Sequence, residues 1–251
     1  MVKSRIPKVI HYCWFGKGPL PAIAVRCMLS WRQQCPDYEI IEWNEENFDI
    51  NSTLYTKQAY EAKKYAFVSD YVRFYVLACY GGVYLDVDVQ LLKPLDDLLV
   101  RGSYIGCEQD GGKGIRLNPG LGMAVEAKST ILEELLMVYQ NTTFVGSDGS
   151  LNLKTIVEYT TDIFKTYGLR DLPGVQVVGG FTVYPEEYFS PRHYLTGKLK
   201  VTSMTYSIHH YSASWFSPYE RLAYKVSHVL GEKGTARVVR IKKKIIKWLG
   251  R

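Results

Sequence analysis

The chain reads as an α/β domain on three observations. Residues 6–16 read as a strand ending in a glycine turn, 21–34 as a helix with proline in its first turn, and 38–43 as a second strand. Two strands joined by a helix of that length form a right-handed parallel unit. Next, residues 69–80 carry apolar side chains at helical spacing and stop at Gly81-Gly82, after which 83–89 reads as a short buried strand. Finally, 47% hydrophobic and 22% charged residues in 251 suit one domain with a full core.

The other elements follow in order. Residues 44–55 are polar and irregular, and a helix from about 56 leads into the 69–80 segment. Residues 94–99 suggest a short helical turn and 104–107 a strand. The stretch 108–118 holds Gly111-Gly112-Lys113-Gly114 without the Gly-Lys-Ser/Thr of a phosphate loop, so it reads as a loop near the cleft. Asn118 opens a segment entering another strand. Residues 130–140 form an amphipathic helix, 142–150 a turn-rich loop and 151–167 a helix. Strands at 175–178 and 181–184 flank Gly179-Gly180. A strand near 206–211 delivers His209 and His210, and 218–230 reads as a helix.

The site candidates centre on Asp86 and Asp88. On the 83–89 strand, alternation puts both carboxylates on one face with Val87 opposite. Two such carboxylates on an apolar strand repel and are costly to desolvate, which a divalent cation relieves; hard oxygen ligands suit Mg2+ or Mn2+. Asp70 and Arg73, three apart, share a helical face, as a surface ion pair or as groups presented beside the acidic strand. Trp14, at the end of the first strand, suits either a core position or a surface on which a base stacks. His11 reads as structural. The 20 tyrosines fit a ring-stacking cleft and equally an ordinary core.

Ser69-Asp70-x-x-Arg73 followed by Gly81-Gly82-x-Tyr84-x-Asp86-x-Asp88 resembles the DXD-containing sugar transferases, the glycosyltransferase family 32 of bacterial capsule enzymes and fungal initiating mannosyltransferases. The catalytic domain of the glucosylating toxins is a more distant likeness. Ile10-His11-x-x-Trp14-Phe15-Gly16 and His210-x-x-x-Ser214-Trp215 are similar to the opening and closing segments of the family. The resemblance implies a GT-A type nucleotide-diphospho-sugar transferase fold, a Rossmann-like mixed sheet flanked by helices, over 1–217, with 218–251 as a helical appendage. It implies a metal-dependent retaining hexosyltransferase using a UDP-sugar, with front-side attack by the acceptor. Asp86, Asp88 and His210 would hold Mn2+ or Mg2+, with His209 as second choice. Trp14 would stack on the base, and Asp70, Arg73, Tyr84, Asn118, Ser214 and Trp215 would contact the donor. Residues 142–150 replace the family's Thr-Gly-Pro and are expected to face the acceptor, a glycan or lipid-linked oligosaccharide of capsule or lipopolysaccharide synthesis. A glycosidase needs carboxylates flanking the scissile bond rather than sharing one face. A non-catalytic sugar-nucleotide or glycan-binding protein of the same fold is the alternative.

The net charge of +6 is concentrated at the C-terminal end: 236–251 holds seven basic residues and no acid, leaving the body near −1. No nucleic-acid surface is expected. The basic residues alternate with an apolar stripe ending at Trp248, the pattern of a helix lying on anionic lipid. Five cysteines without a CxxC pair and no signal peptide point to a reducing, cytoplasmic setting, with peripheral contact at the inner membrane face.

Overall fold

The computed structural model describes residues 4–108, 114–192 and 198–212. The boundary expected at 217, the appendage beyond it, and Ser214 and Trp215 lie outside them. β1 (Val9–Cys13) runs parallel to β2 (Glu39–Trp43), connected through α1 (Ala22–Gln34), as the sequence predicts. α2 (Leu54–Glu61) starts behind Thr53, whose hydroxyl accepts the Thr56 N–H. α3 (Tyr65–Tyr80) follows and ends at Gly81 and Gly82, both with positive φ (65° and 102°). A Cβ on Gly82 would stand 2.8 Å from the Val9 carbonyl oxygen, so only glycine lets β3 (Gly82–Tyr84) enter the sheet beside β1.

The single strand expected over 83–89 is broken. Val89 N–H donates to the Asp86 carbonyl at 3.0 Å, closing a turn over Val87 and Asp88. Aspartates favour such a turn because their short side chains compete for backbone donors. The chain leaves the main sheet there, and β4 (Val89–Leu91) pairs with the late strand β10 (Ser207–His209), antiparallel, with Val89 opposite His209. Strand alternation therefore does not place Asp86 and Asp88.

The remaining elements are α4 (Asp96–Val100), β5 (Tyr104–Glu108), β6 (Arg116–Leu117), β7 (Met123–Val125), α5 (Thr130–Gln140), α6 (Ile156–Thr166), β8 (Gln176–Val178), β9 (Phe181–Tyr184) and α7 (Glu186–Phe189). The helix expected from 151 begins only at Ile156, because Thr155 and Glu158 form a capping box. The main sheet runs β2-β1-β3-β7-β5-β9-β8, with β6 on β5. β2, β1 and β3 are parallel; β7 is antiparallel to both β3 and β5; β9 is parallel to β5.

The sheet is covered on both faces, and its residues divide by parity. Cys13, Tyr84, Ile105, Met123 and Val183 pack into one cluster with residues of α2, α3, α5 and α6. Ile10, Tyr12, Val83, Tyr104, Ala124 and Tyr184 pack into the other with residues of α1, α4 and α7. Alternating side chains on strands buried on both faces explain the near-continuous apolar runs in the sequence. Tyr55, Tyr104, Tyr139 and Tyr184 are fully buried, so much of the tyrosine content serves the core. His11 is structural: Nε2 lies 3.0 Å from the Gly81 carbonyl, and Nδ1 accepts Trp43 Nε1–H at 3.1 Å.

Candidate active site

The turn after β3 and the helix α3 bring the candidate residues Asp70, Arg73 and Asp86 together near the carboxyl ends of β1 and β3. Arg73 is buried and lies 3.0 Å from Asp70 Oδ1 and 3.3 Å from Asp86 Oδ1. Its guanidinium also sits over the Tyr84 ring, 4.6 Å from the centroid. One cation thus serves two carboxylates, which keeps Arg73 charged despite its burial. Burial pushes the Asp70 carboxyl up to about 7; Arg73 pulls it down and Asp86 adds to the rise. Asp70 and Arg73 form a buried pair, not a surface one. Tyr84 is 1% exposed beneath Arg73, so it supports the guanidinium and has no face open to a donor.

Asp86 and Asp88 differ. The Asp86 side chain is 27% exposed and the Asp88 side chain 8%. Asp86 N–H donates to the Gly120 carbonyl at 2.9 Å. A Cβ at Gly120 would overlap Asp86 Oδ2 and stand 2.9 Å from Arg73 Nη1, so the loop after β6 approaches the acidic turn as closely as a bare backbone allows. Asp88 is held from the far end of the described chain. Its Oδ1 lies 3.0 Å from His209 Nε2, its Oδ2 accepts Ser212 N–H at 2.7 Å, and its carbonyl accepts His210 N–H at 3.0 Å. Burial raises the Asp88 carboxyl, but the His209 charge and the hydrogen bonds from His209 and the Ser212 N–H outweigh it and hold it well below the ordinary range. Burial likewise lowers His209, and Asp88 more than compensates, so its affinity for a proton rises.

Of the two histidines, His209 lies with Nε2 3.0 Å from Asp88 Oδ1, while His210, just past β10, lies with Nε2 3.0 Å from Gln90 Oε1. His209 Nδ1 and Ser212 Oγ are buried without partners beside Asp88. Such orphaned atoms mark a place where a further polar partner is accommodated. Hard oxygens from Asp86 and Asp88 with an imidazole have the donor chemistry for Mn2+ or Mg2+. Among the described residues, however, no three His, Cys, Asp or Glu side chains are grouped to hold an ion. Asp86 and Asp88 therefore fit a hard cation by donor chemistry and form no all-protein cage among the described residues.

Trp14 ends β1 half-buried, its Nε1 donating to the Gly18 carbonyl at 2.6 Å, and the loop behind it is tied down by Gly16 N–H to Glu45 Oε1 at 2.7 Å. Asn118 is buried: Nδ2 donates to Glu108 Oε2 at 2.9 Å and Oδ1 accepts Gly120 N–H at 2.8 Å. Glu108 also binds Arg116 Nε at 2.9 Å. Asn118 therefore shapes the Gly120 loop, and Glu108, Arg116, Gly120 and Ser212 are members of the constellation that sequence reading missed. The Asn-Pro-Gly turn was the available signal for Gly120; nothing local marked Ser212.

The mixed α/β sheet, covered by helices on both faces, has the architecture expected of a GT-A type fold. Residues 21–104 match the family model for the glycosyltransferase sugar-binding region containing DXD motif, which is the family the sequence resembles. Inositol phosphoceramide mannosyltransferase 1 of Schizosaccharomyces pombe is 30% identical over 113 residues, 41% of this chain and 34% of that protein. Mannosyl phosphorylinositol ceramide synthase SUR1 of Saccharomyces cerevisiae is 29% identical over 168 residues, 60% of this chain and 41% of that protein. The chain thus spans well under half the length of these relatives. Among solved structures, the PaToxG glycosyltransferase superposes with a TM-score of 0.48 at 17% identity, covering 64% of this chain and 69% of that one.

Proposed function

We propose that the chain transfers a sugar from a nucleoside diphosphate to a hydroxyl of a glycan or lipid-linked acceptor, with retention. The carrying observation is the acidic turn, which keeps Asp88 ionised in a buried setting and leaves Asp86 partly exposed. Mn2+ or Mg2+ held there by Asp86 and Asp88 would neutralise charge developing on the leaving diphosphate. Arg73 fixes Asp70 and Asp86 in place, and Asp70 faces the ribose or the donor sugar. Trp14 stacks on the base, with uracil expected. Ser214 and Trp215, outside the described residues, would contact the donor as the resemblance implies. A UDP-hexose donor and a role in capsule or lipopolysaccharide synthesis follow from the resemblance, and the fungal relatives' names add a mannosyl nucleotide and a phosphoinositol lipid to the substrates worth offering. A cytoplasmic enzyme touching the inner membrane face, partly through 236–251, suits such an acceptor.

The test is a screen of nucleotide sugars for metal-dependent hydrolysis, with Asp88→Asn as control. Turnover with at least one donor, lost on adding chelator and in the variant, is expected. Donor binding without turnover across a broad acceptor set would favour the non-catalytic alternative. An inverted product in an anomeric NMR assay would overturn retention.

A further inference from the structure

α1 has two differently used faces. Inward, Trp31 Nε1 donates to the Val89 carbonyl at 2.7 Å, and Ser30 Oγ accepts Leu91 N–H at 2.9 Å. These bonds satisfy backbone groups of β4 that β10 does not pair, so the helix is fixed rigidly to the strand following the acidic turn. Outward, Val25 and Leu29 are 47% and 54% exposed, and Ala22 is exposed one turn earlier. At about 100° per residue, Ala22, Val25 and Leu29 form one stripe. Arg26 borders that stripe on one side and Arg32 on the other, both exposed, and α1 contains no acidic residue. An exposed apolar stripe edged on both sides by arginines is the pattern of a helix lying in a lipid interface, where long cationic side chains reach the headgroups while their stems stay apolar.

We infer that the outer face of α1 seats the protein on an anionic bilayer, on the side of the acidic turn and independently of residues 236–251. Charge complementarity selects this occupant: the two arginines repel another copy of the same face and attract acidic headgroups. The placement deepens the proposed function, on which its purpose rests, because a helix bonded to the β4 strand brings the acidic turn to a fixed height above the headgroups.

The experiment uses the full chain and vesicles of phosphatidylcholine with and without phosphatidylserine. Wild-type protein should cosediment with the anionic vesicles in a salt-sensitive manner. Val25→Ser with Leu29→Ser, and separately Arg26→Gln with Arg32→Gln, should each weaken binding by about tenfold or more. Circular dichroism and melting temperature verify that the variants fold, since all four side chains are already solvent-exposed. Metal-dependent donor hydrolysis without acceptor should stay at the wild-type rate in both. Unchanged vesicle binding in both folded variants overturns the inference, as does light scattering showing that the stripe instead holds a dimer. If wild type hydrolyses no donor yet the variants lose vesicle binding, the transferase reading fails and the surface stands.

Discussion

At the scale of single residues, two contacts decide what the acidic turn can do. Gly120 lies against the Asp86 carboxylate with no room for a methyl group. Gly120→Ala should displace Asp86 and cut donor turnover on the order of a hundredfold, with the fold retained; turnover assays beside a crystal structure or melting curve check this. Asp88→Asn weakens the bond that charges His209 and removes an anionic ligand, so it should abolish metal-stimulated donor binding in calorimetry. That Asp70, Arg73 and Asp86 lie together was legible because they sit within one short compound motif. Which histidine faces Asp88 was not. That choice depends on the register of β10 on β4, which no local pattern encodes. The turn at Val87-Asp88 was hidden for a related reason: valine and leucine on either side give the apolar signal of a strand whether or not the backbone bends.

At the scale of elements, the strand–helix–strand unit and the stop of α3 at Gly81-Gly82 could be read directly, because periodicity and glycine act locally. The start of α6 was misplaced because Thr155 and Glu158, which cap it, were weaker signals than the apolar residues Leu151 and Leu153 ahead of them. The link from α1 to β4 is tertiary and had no sequence signature. Trp31→Phe should leave the Val89 carbonyl buried without its donor and cost about 1–3 kcal/mol, read as a lowered urea midpoint. Thr155→Ala removes one cap and should cost about 1 kcal/mol by the same measurement.

At the scale of the molecule, acid should find His11. Burial lowers its pKa to about 4, although the Gly81 carbonyl opposes that shift. A folded-state pKa below the unfolded one means the unfolded chain binds more protons in that window. The contribution of neutral His11 is therefore complete above about 6.5 and lost as pH falls toward 4. Asp70, raised by burial, works the other way, gaining stability as pH falls from about 7. Comparing wild type with His11→Gln isolates the first effect: the stability difference between them should shrink by about 3 kcal/mol from pH 7 to pH 4. For the site as a whole, UDP should bind at least about tenfold more tightly with manganese than with chelator; equal affinities would remove the cation from the mechanism.

The bond from Ser212 to Asp88 joins positions 124 apart along the chain. The motif most visible in the sequence is therefore incomplete until the returning strand docks. Contacts of such long range form late and slowly. A polypeptide lacking residues 207–212 would carry every residue of the acidic signature and still lack the groups that fix Asp88.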